Sequence, residues 1–317
     1  MHWSIIFVIM IGLAGCKKEP VSTEDAPAQA VAKGQADTPK PALTTINLIE
    51  RGSEPRRALR WSPAPGGKER LKIRVDAELE LQVAVLNAKK APRSVTFELA
   101  VRTNEAVGEE AAVFSFTIDE ATAHHATSVP PKTRKDREEA MATMRGWQGS
   151  YRVDSLGVVQ EVVMNVPADA SREVWSLSAD LEWALHQIAA PFPTESIGAG
   201  ATWTVDHDVE QDGVKANEVS TLELTKLERQ LVTMKRDVQQ SAAPQTFRNP
   251  GSPTEVELTE FTSEGAAVIN WDPTEPLPHS VQMTSTVTKH ITYGFEGKRV
   301  QSTILTRRAL TVTGLGH

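Results

Sequence analysis

The sequence predicts a mainly β protein: a curved antiparallel sheet with one main α-helix packed on it. Three observations carry that expectation. The first is a long two-residue alternation, in which Leu71, Ile73, Val75, Ala77, Leu79, Leu81, Val83 and Val85 interleave with mostly polar residues. A strand sends successive side chains to opposite faces, so this spacing gives one apolar and one wet face. The second is a series of apolar runs separated by short glycine-bearing turns, which predicts hairpins and hence antiparallel pairing. The third is a single stretch with helical spacing.

Taken in order, the folded part starts near Ile46. Residues 71–85 predict one long strand, or two joined by a bend. Val95, Phe97, Leu99 and Val101 predict the next, and Phe114, Phe116 and Ile118 another. Between residues 122 and 145 the alternation stops. Val129-Pro130-Pro131 and a charged stretch predict a loop followed by a short exposed helix. Four hairpins are then expected, with turns at 155–157, at Gln211-Asp212-Gly213, at Ser263-Glu264-Gly265 and at Phe295-Glu296-Gly297. Asp-Gly is the strongest of these cues, because the glycine takes positive φ without strain. The main helix is capped by Ser171. It carries Val174, Leu177, Leu181, Ala184, Leu185 and Ile188 on one stripe and stops at Pro191. The sum is a meander of about a dozen strands with mostly local connections.

The first forty-five residues read differently. Ile5 to Leu13 is an apolar run too short to span a bilayer as a helix, which takes about 20 residues. It is followed by Ala14, Gly15 and the chain's only cysteine, Cys16. Leu13-Ala14-Gly15-Cys16 resembles the lipobox of bacterial lipoproteins. That resemblance implies a signal peptide over 1–15, a lipidated Cys16, and a membrane held through that anchor. In the same family an Asp after the cysteine favours inner-membrane retention in enteric bacteria. Lys17 stands there instead, which implies the outer membrane, on its periplasmic or surface face. Residues 16–45 form a linker rich in Pro, Ala, Lys and Glu, with too little apolar surface to fold. The β-rich domain is expected over 46–317.

Composition narrows the function classes. The formal net charge is −7, which argues against a nucleic-acid partner. With Cys16 lipidated no thiol remains for a disulfide. Asp206-His207-Asp208 does not predict a metal centre, since alternation turns His207 away from both carboxylates. His124-His125 reads as a surface pair, and His186 as an exposed partner of Glu182 four residues earlier on the helix. Gly198-Ala199-Gly200 lacks the Lys-Ser/Thr ending of a phosphate loop and reads as a turn. No nucleophile or metalloprotease motif is present, so neither catalytic residues nor a cofactor are expected.

Residues 145–310 carry a second likeness. Arg145-Gly146-Trp147-Gln148-Gly149 opens a strand, turn, strand and helix. Phe192-Pro193 and Ile197-Gly198-Ala199-Gly200-Ala201-Thr202-Trp203 then open another strand. This order resembles uncharacterised lipoproteins with a half-barrel fold like the LolA/LolB carriers. The resemblance implies a non-enzymatic envelope protein with an apolar hollow for a lipid or another hydrophobic ligand. Leu79, Leu81, Val83, Met283 and Val287 are the expected lining. The alternative is a structural or interaction protein whose core is filled and which docks on an envelope partner.

Overall fold

The computed structural model describes residues 44–316, apart from 84–85, 91, 105–110, 155, 212, 249–254 and 296–297. The signal peptide, Cys16 and nearly all of the linker therefore lie outside the described residues.

The strands are β1 (Thr45–Glu50), β2 (Arg57–Ala58), β3 (Lys68–Val83), β4 (Leu86–Lys89), β5 (Arg93–Thr103) and β6 (Ala111–His124). After α1 (Pro131–Met144) come β7 (Gln148–Asp154), β8 (Val159–Met164) and α2 (Arg172–Gln187). Then follow β9 (Ser196–Ile197), β10 (Ala201–Gln211), β11 (Val214–Glu228), β12 (Leu231–Ser241) and β13 (Gln245–Arg248). The last are β14 (Glu255–Trp271), β15 (Ser280–Phe295) and β16 (Lys298–Gly316).

Among the described residues, fourteen strands form one antiparallel sheet that does not close. Its order is β1-β10-β11-β12-β14-β15-β16-β3-β5-β6-β7-β8, with β4 on β3 and β13 on β14. The two halves of the chain meet where β16 pairs with β3, Leu310 standing opposite Val75. The sheet is therefore two runs of local hairpins joined by non-local pairings, and β1 returns across the chain to pair with β10.

One chain of aromatic contacts measures how far the sheet curls. Trp203 on β10 touches Phe192, which touches Trp271 on β14; Trp61 links Trp271 to Phe114 on β6, and Phe114 stacks on Tyr151 of β7. These five steps are each 6.4 Å or less between ring centres. β10 and β7 stand nine strand spacings apart in the sheet. Laid flat at about 4.8 Å per spacing, that gap could not be crossed by five such steps. The sheet must fold its inner face onto itself. Both indoles of Trp61 and Trp271 donate to the Glu275 carbonyl, and Trp203 donates to that of Pro191, so no ring N–H is stranded inside.

Both helices join the same core. On α2, Ser171 caps the first turn by accepting from the Val174 amide at 3.3 Å, as its sequence position suggests. The whole expected stripe, from Val174 to Ile188, is buried. The second helix is a correction. The expected loop is there at 125–130, but the helix after it is a fourteen-residue α1 that is not simply exposed, since its Arg137, Ala140, Met141 and Met144 are buried. These fall at i, i+3, i+4 and i+7, so a stripe exists, but its first member is an arginine. Arg137 donates to the Pro92 carbonyl and lies 3.3 Å from Glu173, which ties α1 to the sheet and to α2.

A second correction concerns Ser263-Glu264-Gly265. It is no turn: β14 runs straight through it for seventeen residues. Gly265 is needed for close packing, because a Cβ there would sit 2.9 Å from the Thr284 carbonyl oxygen and 3.1 Å from Met283. The other three hairpin boundaries fall as expected, and the long alternation from Leu71 is a single strand, β3, as far as Val83, with residues 84–85 outside the described residues. No helix of the described residues is long and apolar enough to cross a membrane.

Candidate functional site

The site is built by the way side chains line up across the inner face. Ala201, Leu224, Met234, Ile269, Val281, Val312, Ile73 and Phe97 stand in register across eight strands, each 0% exposed. Six residues further along β10, about 20 Å, the matching row is His207, Glu218, Gln240 and Ser263, then Val287, Thr306 and Leu79. The alternation is unbroken, so the same face that buries leucine in one row buries a carboxylate in another. Beyond the polar row a second apolar cluster begins, with Val214, Phe247, Leu258 and Phe261. Lys289 packs its ammonium over Phe247 and Phe261, 5.8 and 6.0 Å from the ring centres.

At the β10 end of the polar row lies a cavity of about 560 Å³. Its walls come from β8 and the turn before it, from α2, and from β10, β11 and β12. β8 ends the strand order on one side and β10 is next to the end on the other. The cavity therefore sits at the seam of the open sheet, with α2 along it. The apolar part of the wall includes Val158, Val159, Val162, Trp183, Val205 and Val209. The polar part includes Glu182, His186, Gln187, His207, Glu218, Ser220, Arg236 and Gln240.

Glu218 is the centre of the polar wall. Its carboxylate accepts from Arg236 Nη2 at 2.5 Å, from Ser220 Oγ at 3.1 Å and from Gln240 Nε2 at 2.7 Å. Arg236 Nε also donates to Ser220 Oγ at 3.0 Å, which closes a small ring of bonds. Burial pushes the Glu218 carboxyl up, but the Arg236 charge, His207 and the two hydrogen-bond donors outweigh it and hold its pKa below the ordinary Glu value. His207 Nε2 lies 4.0 Å from Glu218 Oε1. Burial lowers its pKa more than Glu218 raises it, and Arg236 adds to the lowering. Burial likewise lowers His186, to about 4, against the pull of Glu218. Both imidazoles are thus neutral at pH 7, and the charge pair in the cavity wall is Glu218 with Arg236. Three buried polar atoms around the cavity have no hydrogen-bond partner: Gln187 Oε1, Gln240 Oε1 and His207 Nδ1.

The expected ligand-lining residues stand elsewhere. Leu79, Leu81 and Val83 are half-buried on β3, Met283 is part of the main core, and Val287 belongs to the second cluster. They occupy the β15 and β3 side of the inner face, and none of the five lines the cavity. His186, expected to be exposed, is half-buried and lines the cavity, as does Glu182. His207 points inward while Asp206 and Asp208 are exposed, as alternation requires. Among the described residues, no group of three His, Cys, Asp or Glu side chains is arranged to hold a metal ion. Sequence reasoning missed Glu218, Arg236 and Gln240. Their signal was an alternation that continues through Val214, Ala216, Glu218, Ser220 and Leu222, placing Glu218 inside.

No known protein-family model matches the chain, and a search of curated proteins found no match.

Proposed function

We propose that this is a lipid-anchored protein of the cell envelope whose β-rich domain, non-enzymatic, binds a small ligand with an apolar body in the seam cavity. The observation that carries the reading is the cavity itself. The row from Ala201 to Phe97 is packed to 0% exposure, whereas here a space of about 560 Å³ keeps apolar walls beside orphaned polar atoms. The curled sheet with helices on its inner face supports the likeness to the LolA/LolB half-barrels. The anchor rests on Leu13-Ala14-Gly15-Cys16, and outer-membrane placement on Lys17. Against catalysis stands the state of Glu218, which is ionised, charge-paired and saturated with donors, and so suits a structural anion better than a general base.

A second reading, an interaction protein with a filled core that docks on an envelope partner, draws on the packed half of the inner face. One experiment separates the two. The full chain is purified from a membrane-containing host and weighed by native mass spectrometry beside Ala179→Phe, which places a ring in the cavity from α2. A small molecule carried by the parent and lost from the variant supports the binding reading. An empty parent leaves the filled-core interaction protein as the better account. The anchor has its own test: radioactive palmitate should label the parent and not Cys16→Ala, and equal label in both would contradict it.

A further inference from the structure

We infer that the seam cavity selects a ligand whose polar end is a protonated amine, and rejects one ending in a carboxylate. The inference rests on the binding reading above and adds the chemistry of the ligand's head. Gln187 and Gln240 are 5% and 8% exposed, both line the cavity, and each leaves its side-chain oxygen without a hydrogen-bond partner. For Gln240 the identity of that atom is fixed by its neighbour. A carboxylate only accepts, so Glu218 must receive the Gln240 NH₂ group, and the oxygen is left over. The unmet need inside the cavity is therefore for donors.

Charge points the same way. The buried cation of the cavity wall, Arg236, is already neutralised by Glu218. Arg248 at the lip is engaged with Glu255 at 3.0 Å. Glu161 and Glu182 are exposed acidic residues at the same cavity, and Asp208 and Glu210 stand on the outer face of β10 beside it. A carboxylate head would meet this acidic lip and two acceptor oxygens. An ammonium head finds acceptors inside, favourable potential outside, and Trp183 and the valines for its apolar body.

The test uses three probes that share one apolar body: tryptamine, the neutral alcohol tryptophol, and indole-3-acetate. Each is titrated calorimetrically into the full chain in detergent micelles. The amine should bind at least about tenfold more tightly than the carboxylate, with the alcohol between them. Raising salt from about 50 to about 500 mM should weaken the amine and leave the alcohol unchanged. Gln187→Leu should narrow the amine's advantage by removing an acceptor. The exposed pair Asp208→Asn and Glu210→Gln should narrow it with no effect on folding. Equal binding of the three probes, or tightest binding of the carboxylate, overturns amine selection and leaves the binding reading standing. An advantage unmoved by salt and by all three substitutions also overturns it. No saturable binding of any probe overturns both.

Discussion

Two regions of one face behave oppositely. The row from Ala201 to Phe97 and the row from His207 to Leu79 are built by the same strands, on the same side, with the same alternation. The first is packed apolar, under α1 and α2 and beside the aromatic chain. The second carries an ion pair, two neutral histidines and a cavity. The difference teaches that alternation determines which way a side chain points, and that what meets it there is decided by elements far away in sequence. Where the helices and Trp61, Phe192 and Trp271 converge, the space is filled. At the seam between β8 and β10 nothing of comparable bulk arrives.

The largest expected effect is in the packed row. Trp271→Ala removes the ring that joins Phe192 to Trp61, and should cost about 3–5 kcal/mol in a denaturant titration. A loss under about 1 kcal/mol would mean the curl does not depend on this contact. Met283→Arg belongs to the same region and should unfold the domain by burying an unpaired charge in the core.

In the polar row the sign of the effect depends on what is left behind. Glu218→Gln strands Arg236 as a buried charge and should cost about 3 kcal/mol. The double substitution Glu218→Leu with Arg236→Met should recover most of that loss. If the double variant is as unstable as the single one, the pair is not an isolated charge couple.

The histidines give a smaller effect with a definite direction. The imidazole of His186 titrates at about 4 in the folded chain and at 6.5 when unperturbed. Between those values the unfolded chain holds a proton that the folded chain does not. Stability should therefore be full above pH 6.5 and fall as pH drops toward 4, by at most about 1.4 kcal/mol per unit for this group. Glu218, with its depressed pKa, adds to the loss below the unperturbed value of 4.5. His186→Gln should flatten the slope between pH 6.5 and 5. An unchanged slope would place His186 in solvent.

The smallest effect is local. Gly213 has φ of +76°, and a Cβ there would meet the Arg248 carbonyl oxygen at 2.4 Å. Gly213→Val should cost about 2 kcal/mol, read as a lower melting temperature. An unchanged value would mean the turn adapts freely.

Much of the fold was legible because strands, turns and the α2 stripe are local patterns. Ser171, the Leu71 to Val83 alternation and Gly213 each act within a few residues. The helix α1 was legible but its buried stripe was not, because Arg137 occupies a core position and is made tolerable by Pro92 and Glu173, contacts that no local pattern reveals. Ser263-Glu264-Gly265 looked like a turn because close packing and chain reversal both call for glycine. The cavity was illegible for a related reason. Glu218 lies on β11 and Arg236 and Gln240 on β12, and only strand pairing brings them to one place.

One inner face is thus filled around Trp203 and Trp271 and opens at the seam cavity. The most direct measurement is ¹⁹F NMR of the full chain carrying 5-fluorotryptophan, with its seven tryptophan signals assigned by Trp→Phe substitution. Trp183 lines the cavity, while Trp203 and Trp271 lie in the packed region at no more than 1% exposure. On titration with tryptamine the Trp183 resonance should move saturably and those of Trp203 and Trp271 should stay in place. A Trp183 signal that does not move, or Trp271 and Trp203 signals that move with it, would contradict the division.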